Sequence, residues 1–207
     1  MRLSRMRLSR LMILGASGHG KVVADCAAKN GYREIVFLDD AEGLTDCGGW
    51  PVVGKCADVN KLDGKVIVAI GNAGIRRKLQ ESVEPARLAT LIHPAAVVSR
   101  ALIGPGSVVL VGAVVNPGAE IGAGCILNTC CSVDHDCQIG DYAHIAVGAH
   151  VAGGVTVGDG TWIGAGAVVS NNIRICGGCM IGAGAAVVKD ICETGTYVGV
   201  PARKIAK

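Results

Sequence analysis

His135 stands between two acids in the run Asp134-His135-Asp136-Cys137, and two more of the chain's five histidines, His144 and His150, follow within fifteen residues. Flanking carboxylates can orient an imidazole and stabilise its protonated form, so His135 is the candidate general base. Other readings of the same residues stay open at this level. Outward histidines on a soluble protein are commonly solvated surface, and three histidines could meet across a subunit interface to hold zinc, as in a metal-dependent hydratase of the carbonic anhydrase type. The ten cysteines include one C-x-x-C, Cys176 and Cys179, which in isolation would suggest a metal or redox pair. No second pair stands at zinc spacing, so no metal is expected.

A second cluster with chemical potential lies near the start. The short apolar run at 11–14 leads into the glycine turn Gly15-Ala16-Ser17-Gly18-His19-Gly20, and residues 21–29 carry Val22, Val23, Cys26 and Ala27 at helical spacing. A strand at 34–38 ends in Asp39-Asp40, and another at 65–70 ends in Gly71-Asn72, ahead of a helical stretch with Arg76 and Arg77. Strand, glycine turn, helix, strand and acid make half of a nucleotide-binding α/β unit, with ligand expected at the carboxyl ends of the strands. Free amides at the helix start favour phosphate. The glycine order is G-x-x-G-x-G, so the dinucleotide fingerprint is not met.

The element that must position His135 is a repeat. From Val97 to Val187 an aliphatic residue falls on every sixth position, and a small residue follows four places later in thirteen of the sixteen hexads. Each hexad is too short to hold a core, but stacked hexads bury a continuous column, the pattern of a parallel β-helix with three sides and eighteen residues per coil. Neighbouring strands about 4.8 Å apart make this prism roughly 25 Å tall. Cys125, Cys131, Cys137 and Cys179 fall on the small inward position, as apolar fillers. Expected boundaries are a disordered extension at 1–10, a Rossmann-like domain at 11–92, the β-helix at 93–192 and a tail at 193–207.

Coil arithmetic groups the polar residues. His135 is at an outward position, and Gly153, eighteen residues later, stacks one coil above it. His144 is nine residues from His135, half a perimeter away, and falls with Asn128, Ala165 and Ala183 on another side. A site using both groups must lie between subunits, which predicts an oligomer.

Composition narrows the partners. A net charge of +3 and only six residues of Phe, Trp or Tyr argue against nucleic acid. Neither a signal peptide nor a membrane span is visible, which suggests a cytoplasmic protein.

Across nearly its whole length the chain resembles the sialic acid O-acetyltransferase family of hexapeptide-repeat sugar acetyltransferases, and within it the bacillosamine-pathway N-acetyltransferases that act on UDP-4-amino sugars. The resemblance rests on the turn at 15–20, Phe37-Leu38-Asp39-Asp40, Ile70-Gly71-Asn72 with Arg76, Leu127-Asn128-Thr129, the Asp134-His135-Asp136-Cys137 box and Val198-Gly199-Val200-Pro201-Ala202. It implies a left-handed β-helix, a homotrimer with interfacial sites, acetyl-CoA as cosubstrate and no metal. It further implies that His135 is the base, oriented by Asp136, and that Asn128 and His144 complete the site. His144, Gly153, Ala165 and Ala183 would meet acetyl-CoA, with the Gly153 amide placed at the oxyanion. Ser17, Gly18, His19, Asp39, Asp40, Gly71, Asn72 and Arg76 would hold the UDP-sugar. The bacillosamine-pathway pattern has Glu where this chain has the shorter Asp136. O-acetylation of a sialic acid and non-catalytic nucleotide-sugar binding are the rival readings.

Overall fold

Leu11–Leu14 (β1) and Ile35–Leu38 (β2) are unbroken aliphatic or aromatic runs, the pattern of strands covered on both faces, and every one of their residues is buried. The computed structural model describes residues 10–206. The expected extension lies outside these residues except for Arg10, which belongs to the front domain instead: its carbonyl accepts the Lys65 amide at 2.9 Å and its guanidinium meets Glu34 at 2.6 Å.

The front domain is a five-stranded sheet. Asp46–Cys47 (β3) and Trp50–Gly54 (β4) form a hairpin that lies beside β2, and Lys65–Val68 (β5) pairs with β1, giving the order β3-β4-β2-β1-β5. All pairings are parallel except the hairpin, which turns at Gly48-Gly49, both at positive φ. The hairpin was not expected from the sequence, although a Gly-Gly between apolar residues is its ordinary signal. Helix α1 (Gly18–Lys29) packs on β1 through Val23, Ala24 and Ala27. Gly20 permits that approach, since a Cβ there would stand 2.3 Å from the Gly15 carbonyl oxygen. Helix α2 (Ala73–Glu81) is capped by Asn72, whose Oδ1 accepts the Ile75 amide at 3.0 Å.

The rest is a left-handed parallel β-helix of two-residue strands on three faces. The first face carries Leu91–Ile92, Val108–Val109, Ile126–Leu127, His144–Ile145, Trp162–Ile163 and Met180–Ile181, followed by the tail strands Thr196–Val198 and Arg203–Lys204. The second runs from Val97–Val98 to Ala186–Val187, and the third from Leu102–Ile103 to Arg174–Ile175. From Ile103 to Val187 partners are eighteen residues apart, as in Ile121 with Ile139, and the tail closes the top sixteen residues on, as in Ile181 with Tyr197. The first coil is one residue short: Ile92 pairs with Val109 and Val98 with Val115, so Val98 packs inward and Val97, expected inside, is 58% exposed. The slip is made up at the corner before Ile103.

The corners obey a stricter rule than the core. A left-handed φ recurs every sixth residue from position 100 to position 184, on glycine ten times and otherwise on Arg100, Cys130, Asp136, Tyr142 and Asn172. Asn and Asp tolerate this region better than other side chains. Inside, the small residues do more than fill space. Ser107 Oγ donates to the Gly122 carbonyl at 2.8 Å, Cys125 Sγ to Gly140 at 3.2 Å, Cys137 Sγ to Ala152 at 3.1 Å and Thr161 Oγ1 to Cys176 at 3.0 Å. Each ties a coil to the one above it. Burial pushes the Cys125 and Cys131 thiols up to about 12, so they stay protonated.

The two domains share a core. Outward Leu91, Val108 and Ile126 of the first face, with Leu110, are buried against Leu11, Val23, Ala27 and neighbouring residues. Beside them Arg76 is 0% exposed, and its guanidinium donates to the carbonyls of Gly124 at 2.7 Å, Ile70 at 2.7 Å, Gly71 at 2.8 Å and Tyr142 at 2.5 Å. Desolvation lowers its pKa to about 10, which still leaves it charged near neutral pH. Its hydrogen bonds therefore go to four main-chain carbonyls in the domain join, two buried and two half-buried, where a sugar-nucleotide contact was expected. Arg76→Met should therefore destabilise the chain by about 3 kcal/mol or more, because buried carbonyls are left without donors. Chemical denaturation checks this, and a change below about 1 kcal/mol would contradict the role. Among the described residues no helix is long and apolar enough to cross a membrane.

Candidate active site

The expected site residues fall into two groups on different parts of the prism. At the edge between the second and third faces, His135 is exposed and its Nδ1 lies 2.8 Å from Asp136 Oδ2. Asp136 sits on one of the left-handed corners, at φ 57°, and the shorter acid reaches the ring from there. Room for it comes from Gly118 one coil below, where a Cβ would stand 2.4 Å from Asp136 Oδ1. The hydrogen bond from Asp136 is the main cause that raises the His135 pKa above its usual 6.5, with the charges of both acids assisting. Asp134 fixes the main chain, since its Oδ1 accepts the His135 amide at 2.8 Å and the Asn116 side-chain amide at 2.7 Å. Gly153 is buried directly beneath the ring: a Cβ there would lie 2.4 Å from His135 Nε2.

The second group lies on and beside the first face. His144 is only 7% exposed, and its Nε2 is 3.1 Å from Asn128 Nδ2. Asn128 Oδ1 accepts the Thr129 amide at 2.8 Å, which turns its NH2 toward the imidazole. His144 Nε2 is therefore the acceptor and its proton resides on Nδ1, by the logic of the network. Burial, then the nearby His19 and Arg76, lower the His144 pKa to about 3, so the ring is neutral. Burial and Arg76 likewise lower His19 to about 4. The two ring centroids are 6.4 Å apart, and His144 Nδ1 and His19 Nε2 are both buried without a hydrogen-bond partner among the described residues. Such a pair can take a group that accepts one hydrogen bond and donates another, as a hydroxyl does.

Trp162, one coil above His144, extends this wall. The two rings are 4.3 Å apart, and a Cβ on Gly71 would be 3.8 Å from the indole. Sequence reasoning passed over Trp162, although the eighteen-residue spacing from His144 was there to find it. Ala165 and Ala183 are exposed on the adjoining edge, stacked through the Gly184 amide and the Ala165 carbonyl at 2.9 Å.

Two front-domain residues approach the same wall, His19 toward His144 and Gly71 toward Trp162, which makes the space between the front domain and the first face the candidate crevice. Ser17 and Gly18 are exposed at the start of α1, and Asp39 joins the turn by accepting the Ala16 amide at 2.7 Å and the Ala41 amide at 2.8 Å. Asn72 spends its carbonyl on capping α2. Asp40 turns toward the short 3-10 helix Cys56–Lys61, where its Oδ1 accepts the Cys56 amide at 3.0 Å. Within one chain His135 occupies the edge opposite the first face, so the base and the crevice are on different sides of the prism. No group of three or more His, Cys, Asp or Glu among the described residues is placed to hold a metal ion.

Residues 10–83 match the PglD N-terminal domain model, and residues 136–171 match the bacterial transferase hexapeptide model of six repeats. The acetyltransferase domain of PglB from Neisseria gonorrhoeae FA1090, solved in complex with acetyl coenzyme A, is 43% identical over 95% of this chain and 98% of that one, with a TM-score of 0.90. PerB from Caulobacter crescentus, solved in complex with CoA and GDP-perosamine, is 33% identical over 95% of this chain and 97% of that one, with a TM-score of 0.88. The UDP-N-acetylbacillosamine N-acetyltransferase of Bacillus subtilis (strain 168) is 36% identical over 112 residues, 50% of this chain and about half, 52%, of that protein.

Proposed function

The chain belongs to the hexapeptide-repeat sugar acetyltransferases with a PglD-type front domain, and from that membership we propose that it acetylates the 4-amino group of a UDP-linked amino-dideoxy sugar with acetyl-CoA. The observation that carries the reading is the His135–Asp136 pair seated over Gly153, an oriented and exposed base. In this mechanism His135 Nε2 takes the proton of the sugar amine as its nitrogen attacks the acetyl carbonyl, and the tetrahedral intermediate then expels the CoA thiolate. The Gly153 amide, which gives no hydrogen to a backbone carbonyl among the described residues, is the donor for the oxyanion. Asp136 holds Nδ1, which leaves Nε2 over Gly153 to take the proton, and stabilises the imidazolium that forms.

The nucleotide sugar lies in the crevice between Ser17–Gly18, Asp39, Gly71–Asn72 and the first face, where helix α1 offers free amides to its phosphates. A sugar hydroxyl satisfies the orphaned nitrogens of His19 and His144. A CoA-release assay tests the reading against a panel of UDP-4-amino sugars, GDP-perosamine and sialic acids. Turnover with a UDP-4-amino sugar is the expected result; turnover with sialic acid alone would replace it with O-acetylation, and no CoA release would sink the assignment.

Because His135 and the crevice lie on different sides of one prism, each working site joins the His135 edge of one subunit to the Asn128–His144 side of its neighbour in a trimer. Two inactive proteins, His135→Ala and the Asn128→Ala, His144→Ala double variant, should therefore regain part of the activity when their subunits are exchanged. The gain is measured by CoA release after mixing. Complete inactivity despite exchange proven by mass spectrometry would place the whole site within one chain.

A further inference from the structure

At the upper end of the edge between the third and first faces, Cys176 and Cys179 hold their sulfur atoms 3.5 Å apart. The column of corner residues that Cys176 completes reads Gly104, Gly122, Gly140, Gly158 and then cysteine. The lower four have no choice. A Cβ on Gly104 would stand 2.5 Å from the Gly122 backbone, and one on Gly158 would stand 2.4 Å from the Gly177 amide nitrogen. The last two-residue strand of the third face is Arg174–Ile175, with only Ile191 bridged above it, so position 176 carries a side chain, and Cys176 packs it at the rim of the prism core. Cys176 is partly exposed while Cys179 is buried, its Sγ reaching the Glu193 carbonyl at 3.6 Å. The residues between them are Gly177 and Gly178, the second at φ 69°, a link with little resistance to adjustment.

We propose that Cys176 and Cys179 are a redox-closing dithiol, a reversible modification site at the end of the prism where the tail begins. A pair of thiols so placed needs its sulfurs to close by about 1.5 Å to reach the disulfide distance. With a low-molecular-weight disulfide such as glutathione disulfide as oxidant, the Cys176 thiolate attacks one sulfur and displaces one glutathione thiolate. The Cys179 thiolate then attacks the Cys176 sulfur of the mixed disulfide and displaces the second glutathione. Two protein thiols lose two protons and two electrons, and glutathione disulfide is reduced to two glutathione molecules. Burial and the Cys176 contact push the Cys179 thiol up, so the partly exposed Cys176 is the thiol that meets the oxidant first.

The neighbourhood supplies its own competitors. Cys192 is exposed and follows Ile191, whose carbonyl accepts the Cys176 amide at 2.8 Å, and Cys130 is exposed elsewhere on the prism. The full-length reduced chain is equilibrated in glutathione buffers of rising oxidation, trapped by alkylation and mapped by peptide mass. The expected product is a peptide spanning 176–179 lighter by two hydrogens and carrying no alkyl group. It should persist unchanged in Cys192→Ser and vanish in Cys176→Ser. In Cys179→Ser, whose hydroxyl can still donate to Glu193, glutathione should remain on Cys176. A parent protein that stops at glutathionylated Cys176, or that joins Cys176 to Cys192, would overturn the proposal, and this map needs no variant to fold.

Discussion

His135→Ala is expected to lower turnover by roughly 10²–10⁴-fold, the usual contribution of a positioned base, with little change in the Michaelis constants. The side chain is exposed, lying over Gly153 and bonded to Asp136, so its loss should leave the fold and the melting temperature near those of the parent. The pH profile supplies a second readout. A base acts in its neutral form, and Asp136 holds the His135 pKa above 6.5, so kcat/KM should fall as the pH drops through that raised value. Asp136→Asn removes the chief cause of the raise and should move the acid limb to lower pH as it lowers the rate. Activity of His135→Ala within a few-fold of the parent, or an acid limb that ignores Asp136→Asn, would refute the role.

A single methyl group should do nearly as much damage. Gly153 has no left-handed φ, so its backbone accepts alanine, but the new Cβ would stand 2.4 Å from His135 Nε2 and 2.6 Å from Cε1. The exposed ring must swing away, and with it goes the alignment with Asp136. Gly153→Ala should cost roughly 10²-fold or more in turnover, as misplacement of a reacting group does. Because both changes disable one device, adding Gly153→Ala to His135→Ala should cost almost nothing further. Kinetics on the two single variants and the double one decide it. Full additivity would mean that Gly153 acts elsewhere.

The prism was legible because its period is enforced by sterics at every corner: an aliphatic residue must recur where the chain faces inward, and a glycine, or a residue that tolerates the left-handed region, must recur three places later. The pairing of His135 with Gly153 followed from that period alone. What the period could not reveal is where it starts. Val97 continues the aliphatic series yet lies outside, because the chain enters the first coil one residue short and recovers at the next corner. The front domain was half readable. Its buried strands announce themselves by continuous apolar runs, but the β3–β4 hairpin is short, half-exposed and interrupted by Pro51, so it carries little periodic signal. The burial of Arg76 was not legible, for a physical reason. An arginine beside a glycine turn and a helix start looks like a phosphate ligand in sequence, and only the tertiary structure reveals four carbonyls converging on it. Trp162 was hidden by its neighbour, since attention to histidines gave no reason to follow their column upward.

The six-residue recurrence of left-handed corners also makes the molecule a counting device for evolution. An insertion of six residues would preserve every local rule and still turn all later side chains by a third of a revolution, carrying Gly153 off the edge that bears His135. Only a whole coil of eighteen residues restores each column, and it then lengthens the ruler by about 4.8 Å without rotating any mark on it. Distance along an edge and direction around the axis are thus inherited separately. A lineage built on this scaffold can lengthen its reach in discrete steps while every functional group keeps its bearing.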